Sequence, residues 1–149
     1  MTQSVYDYLA HQIATRADSP AMSDSTGITL NYDALGAACD EVTEILVVNA
    51  VQSGDRVLLL SENCVAAVAV MFAAWKIGAC VVPVNARQTE AEVMRVIGHC
   101  EPSIVIMTTS VSTDAEHHAV LLNGVEVTGS YGSIHVAAVE GGPSDMGDD

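Results

Sequence analysis

Positive charge is what this sequence has least of: five Lys and Arg stand against 19 Asp and Glu, a formal net charge of -14. Arg16, Arg56, Lys76, Arg87 and Arg95 are the fixed cations, too few and too scattered to clasp the phosphates of nucleic acid or anionic lipid. An ATP site normally needs a lysine or a glycine-rich amide cradle. The chain has no Gly-x-Gly-x-x-Gly, no glycine-rich loop ending in Lys-Ser or Lys-Thr, and no Gly-x-Ser-x-Gly elbow. These absences predict a segment that binds no cofactor or metal of its own, and no catalytic residue is assigned to it.

A basic and apolar leader is also missing. Met1-Thr2-Gln3-Ser4 runs straight into a helical pattern, which predicts a cytoplasmic address. No apolar run approaches the roughly 20 residues of a bilayer span, so no transmembrane segment is expected. Cys39, Cys64, Cys80 and Cys100 lie far apart with no Cys-x-x-Cys pair, the pattern of structural thiols in a reducing compartment.

What is present is apolar and ordered like a folded domain. Half of the 149 residues are hydrophobic, enough for one core, and no composition shift divides them. The most informative stretch runs from Gly54 to Asn85. Arg56-Val57-Leu58-Leu59-Leu60-Ser61 reads as a buried strand, and Ser61, Glu62 and Asn63 offer polar start signals for a helix over Cys64 to Trp75. Gly78 stops that helix, and Cys80 to Val84 returns as a second strand, parallel to the first through a right-handed crossover. Val65, Val68, Ala69, Phe72 and Trp75 form the expected inward stripe. The opposite side carries Ala66, Ala67, Val70, Met71, Ala73 and Ala74, so the helix is apolar all round and is expected to be enclosed on both sides. More protein around it than this chain supplies is the expectation, with an apolar patch left on the isolated chain.

The flanking segments read as an α/β layered fold, a mostly parallel sheet flanked by helices. Ser4, with Asp7 at the capping-box distance, opens a helix from Val5 to about Thr15 lined by Val5, Leu9 and Ile13. Ala21 to Ser23 and Ile28 to Leu30, around Asp24-Ser25-Thr26-Gly27, form a small peripheral hairpin. Asn31 caps a helix to about Val48 with an inward row of Leu35, Ala38, Val42, Ile45 and Asn49. Thr89 and Glu92 make a capping box for a helix from Glu90 to about His99, and Pro102 precedes a third strand over Ile104 to Met107. Beyond it, Asp114 to Leu122 reads as helix, and Val125 to Val127 and Ile134 to Val139 as strands. The α/β unit is placed over residues 1–139, and 140–149 reads as an acidic flexible linker.

Four clusters invite a chemical reading, and each has a plainer one. Asp114, His117 and His118 share a helical turn and could ligate a metal, although a solvated acidic face accounts for them. His99 beside Cys100 suggests a thiol–imidazole pair, but neighbours on a helix point apart. Lys76 closes a helix, where the dipole and water satisfy it. Arg87 lies in the loop after a parallel strand, the edge where open α/β sheets bind ligands, yet position is its only credential.

Gly54-Asp55-Arg56-Val57, the alanine-rich helix and Trp75-Lys76-Ile77-Gly78-Ala79-Cys80-Val81-Val82-Pro83-Val84-Asn85-Ala86-Arg87 together resemble the N-terminal region of AMP-forming acyl-CoA synthetases. The resemblance spans about residues 5–107 and implies part of a larger adenylating enzyme that joins a carboxylic acid, fatty acid first, to coenzyme A using ATP and magnesium. The family's phosphate loop, Thr-Glu pair, ribose-binding Asp and C-terminal lysine have no counterpart here. The resemblance therefore implies a piece inactive alone, whose partner is the remainder of the parent enzyme or, through an apolar surface, a second copy. Two alternatives stand beside it: a stand-alone non-catalytic interaction module, and the same region of a peptide synthetase adenylation domain or luciferase-like enzyme.

Overall fold

The computed structural model describes residues 3–139, so the linker expected over 140–149 lies outside the described residues. The chain runs α1 (Val5–Arg16), β1 (Pro20–Ser23), β2 (Thr29–Asn31), α2 (Tyr32–Val48), β3 (Arg56–Ser61), α3 (Val65–Lys76), β4 (Cys80–Asn85), α4 (Glu90–Cys100), β5 (Ile104–Met107), α5 (Thr113–Leu121), β6 (Val125–Gly129) and β7 (Gly132–Ala138). Five strands form one sheet in the order β4-β3-β5-β7-β6. β3 is parallel to both β4 and β5, while β7 is antiparallel to β5 and β6. The first half therefore has the expected strand–helix–strand plan. A tight turn joins β6 to β7, and such a connection leaves only antiparallel pairing. Among the described residues no helix is long and apolar enough to cross a membrane.

Side chains alternate across the sheet, so each strand feeds two cores. Val57, Leu59, Ile104, Ile106, Ile134 and Val136 pack under α2 and α3. Leu58, Leu60, Val105, Met107 and Ala137 pack against Val93 of α4 and Ala115 and Ala119 of α5. Helices thus cover both faces, which is why β3 reads as an unbroken apolar run.

Two rows of side chains differ from the sequence reading. In α2 the buried row is Leu35, Ala38, Cys39, Val42 and Leu46, with Ile45 half-buried and Asn49 exposed. The expected row through Ile45 and Asn49 follows a 3.5-residue repeat, and a straight helix of 3.6 residues per turn drifts off it. In α3 the inward side is the small one: Ala66, Ala67, Ala69, Val70, Ala73 and Ala74 are buried with Val65, whereas Val68, Phe72 and Trp75 are only half-buried. Alanine lets α3 approach the sheet and α2 closely, and the bulky residues fill the wider gap towards α1 and the hairpin. This chain's own elements therefore enclose most of α3. Its all-round apolar character does not by itself require protein from outside.

The start of α3 is a second correction. Its N-cap is Cys64, whose Sγ accepts the Ala67 N–H at 3.4 Å, rather than Ser61, Glu62 or Asn63. The free N–H of Val65 goes to Asp24 Oδ2 at 2.8 Å, so the β1–β2 turn docks on the helix end instead of standing apart as a peripheral hairpin. At the far end Gly78 takes φ +79°, and a Cβ there would fall 2.7 Å from Ser53 Oγ, so the stop demands glycine.

Asp24 also carries a pH consequence. Burial works to raise its pKa, but hydrogen bonds from the Thr26 hydroxyl and from the Val65, Thr26 and Ile28 N–H groups outweigh it and hold the carboxyl below its ordinary value. A depressed folded pKa gives stabilisation that is present above the unfolded value and lost as the pH falls through the folded one. Asp24→Ala is expected to cost about 1 kcal/mol at neutral pH, the usual worth of a cap, with the difference from wild type shrinking below about pH 4. Urea unfolding at neutral pH and near pH 3 checks this; an unchanged difference at the lower pH would contradict the assignment.

Candidate functional site

β3, β4 and β5 run parallel, so the loops that leave them, 61–64, 86–89 and 108–112, open on one edge of the sheet. That edge is where open α/β sheets place ligands, because strand ends diverge there and leave a crevice. A chain of polar contacts ties the three loops together. Thr108 Oγ1, fully buried, accepts the Glu62 N–H at 3.3 Å, and Glu62 Oε1 accepts from Arg87 Nε at 2.8 Å. Asn85 Oδ1 takes the Arg87 N–H at 2.9 Å, the side-chain turn that asparagine favours.

His118 locks the same loop from below. It is 3% exposed, and its Nε2 lies 2.9 Å from Ala86 O and 3.0 Å from Gln88 O. Both partners are carbonyl acceptors, so Nε2 carries the proton and donates to both. Nδ1 has no partner among the described residues. The metal trio weighed for Asp114, His117 and His118 does not form, and the solvated-face reading fits only the first two, which are exposed, while His118 turns inward to the β4–α4 loop.

The result is a rigid shelf presenting one cation. The Arg87 side chain is 74% exposed while Glu62 is 25% exposed, so the pair sits at a surface where its ion-pair energy is small. Among the described residues only Nε is engaged, which leaves the terminal nitrogens of the guanidinium to grip a carboxylate or phosphate by two parallel bonds. Arg87, solvated on its loop, thus has a partner in Glu62, a residue whose place before α3 reads in the sequence as a helix-start signal.

The remaining candidates are structural. Lys76 Nζ lies 2.7 Å from Asp40 Oδ1 and 5.2 Å from the Tyr6 ring centroid, so its charge ties α1 and α2 to the end of α3. Asp40's hydrogen bond raises the Lys76 pKa and keeps it charged. His99 is exposed and Cys100 half-buried, with burial raising the thiol pKa against the pull of Arg56, so no activated pair exists. Burial pushes Cys39 up to about 12 and raises Cys64 as well, which makes both thiols inert. Thr109 Oγ1 and His135 Nδ1 meet at 2.8 Å in nucleophile–base fashion, but Thr109 is 6% exposed and cannot reach a substrate.

Among the described residues no three of His, Cys, Asp or Glu are grouped to hold a metal ion. With its one lysine paired to Asp40 and Arg87 as the cation on these loops among the described residues, the segment does not by itself fit magnesium-bound ATP.

A family model described as "AMP-binding enzyme" matches residues 9–143. The chain belongs to that family. The match extends past the stretch that carried the resemblance and takes in α5, β6 and β7. A curated relative, the long-chain-fatty-acid–CoA ligase FadD13 of Mycobacterium tuberculosis, is 30% identical over 82 residues, 55% of this chain and 16% of the relative. The chain thus spans about a sixth of that relative's length. Among solved structures, the N-terminal domain of FACL13 from M. tuberculosis is similar at TM-score 0.67 and 25% identity, covering 70% of this chain and 26% of that one. VinN in complex with 3-methylaspartate is similar at TM-score 0.70 and 27% identity, covering 78% and 32%. The fold and the family match together align the chain with the N-terminal part of AMP-binding enzymes.

Proposed function

We propose that the chain is the N-terminal part of an ATP-dependent acyl-CoA synthetase, which converts a carboxylic acid, ATP and coenzyme A into acyl-CoA, AMP and pyrophosphate. The observation that carries this reading is the family match over 9–143 together with the likeness to an acyl-CoA ligase N-terminal domain. A carboxylate is a poor acyl donor until its oxygen becomes part of a good leaving group, and attaching AMP supplies one. Fatty acid is the proposed substrate class, on the relative's description alone. In this reading residues 1–139 form one structural unit, 140–149 link it onward, and the rest of the ligase is its natural partner. The cytoplasm is the proposed compartment, which the four free cysteines support.

The segment's part in that enzyme is to set the strand-end shelf in place, with the Arg87 fork facing any anionic group bound there. Among the described residues no lysine or glycine-rich amide cradle stands beside the Arg87 fork to complete a site for a departing pyrophosphate, so in this reading the segment is inactive alone. Purified chain is expected to give no ATP–pyrophosphate exchange with any of a panel of fatty and aromatic acids. Exchange above the no-acid blank that survives repurification would overturn the inactivity. A second reading, an amino-acid-adenylating member of the family, is favoured by the larger coverage of VinN, and including aspartate and its 3-methyl derivative with a completed enzyme separates the two.

A further inference from the structure

A groove of about 410 Å³ opens where α1, the β1–β2 hairpin, α2 and α3 meet. Tyr8 and Gln12 from α1, Met22 from β1, Tyr32 from α2, and Val68 and Phe72 from α3 line it. The whole chain has four Tyr, one Phe and one Trp, so half of its aromatic rings stand on this one groove. Tyr8 is 63% exposed and the other two rings are half-buried, which leaves all three within reach of a molecule from solvent. The floor is fixed. Leu35 is 4% exposed, and Phe72 meets Trp75 at right angles with ring centroids 5.4 Å apart.

Charge decides what such a groove can hold. No Asp, Glu, Lys, Arg, His or Cys lines it. An anion would find no counter-charge there, and a metal ion no carboxylate, imidazole or thiolate. The walls around it are acidic: residues 4–36, which build α1, the hairpin and the start of α2, hold Asp7, Asp18, Asp24 and Asp33 against Arg16 alone, in a chain whose net charge is -14. That field draws cations towards the surface and repels anions. Aromatic faces then attract a positive charge through their quadrupole. The molecule already uses this contact once, since Lys76 Nζ stands 5.2 Å from the ring centroid of Tyr6, two positions before Tyr8 on α1.

We propose that the groove binds a small free organic cation carrying a quaternary ammonium group. A primary ammonium would give up its hydrogen bonds to water on entering an apolar groove, which costs more than the rings return. A quaternary group has no N–H to leave unpaired, and its methyls bury against Val68 and Met22 while its charge faces the rings. An uncharged molecule of the same shape gains only the burial. The inference stands independently of the enzymatic reading.

Titration of the 15N-labelled chain with choline and with its uncharged carbon isostere, 3,3-dimethylbutan-1-ol, tests it. Choline is expected to bind saturably with a millimolar dissociation constant, to shift the amides of Ala21, Val68 and Phe72 most, and to bind about tenfold more tightly than the isostere. Tyr8→Leu and Phe72→Leu, each checked for a wild-type melting profile, should weaken choline about threefold or more and narrow its advantage over the isostere. Val48→Ser, at an exposed position of α2 outside the groove, should change neither. Equal affinity for choline and the isostere would make this a general apolar groove and overturn the proposal. So would shifts spread evenly over the acidic surface, no saturable shift at all, or binding indifferent to both ring substitutions. Binding to phosphatidylcholine vesicles without binding to free choline would assign the groove to a membrane surface and reject a free ligand.

Discussion

Ala73→Leu should cost about 1–3 kcal/mol of unfolding free energy, a large share of the roughly 5–15 kcal/mol that holds a domain of this size together. Ala73 is fully buried in α3, on the side that faces α2 and the sheet. A leucine there adds three carbons where the helix already touches its neighbours, so it must leave its rotamer or push α3 outward. Val68→Leu, on the half-buried flank beside Phe72, adds only one carbon next to an open groove and should shift stability by less than about 0.5 kcal/mol. The contrast decides between two orientations of one helix. Had the bulky stripe of Val68, Phe72 and Trp75 faced inward, the ranking would be reversed. Urea midpoints for the two variants, read by far-UV circular dichroism, settle it; equal effects would reject the alanine-inward packing.

That ambiguity shows where the sequence stops being legible. Several signals whose partner lies within four residues are readable: Ser4 with Asp7, Asn31 with Ala34, and Thr89 with Glu92 are all capping contacts of the kind expected, whereas the Cys64 cap on Ala67 is not, because cysteine is no usual cap. Strand and helix bounds from Arg56 to Met107 follow for the same reason, since periodicity and breakers are local. A helix apolar on every side has no phase, so nothing in its own residues says which side is tight. Long-range contacts are equally silent. The Asp24 cap on Val65 spans 41 positions, and Glu41, which accepts from the Ser130 N–H at 3.1 Å and ties α2 to the β6–β7 turn, spans 89. Tyr131, 2% exposed beneath that turn, carries no pattern marking it as core. The candidate site is built from such contacts. Arg87 could be placed on the right loop from sequence, but Glu62, Thr108 and His118 could not be placed beside it.

His118→Leu is expected to destabilise the chain by about 2–4 kcal/mol, because one substitution strips the shared donor from two carbonyls at once and each buried unsatisfied group costs about 1–3 kcal/mol. The side chain is 3% exposed and donates to Ala86 O and Gln88 O, so water cannot simply take its place. Leucine fills much of the space, which keeps the loss of packing small and leaves the missing hydrogen bonds as the main term. His118→Gln retains an N–H donor of similar reach and should recover part of the loss. His117→Leu, on the same helix but exposed, is the control and should fall within about 0.5 kcal/mol of wild type. The effect should also be local. Ala86 and Arg87 amides should exchange faster in His118→Leu under native conditions, while those of α2 change only by the global shift. If His118→Leu and His117→Leu prove alike, the imidazole is not what holds the β4–α4 loop. Arg87 would then be an ordinary surface arginine on a loop that Asn85 alone shapes, and the strand-end shelf would have no fixed cation to present.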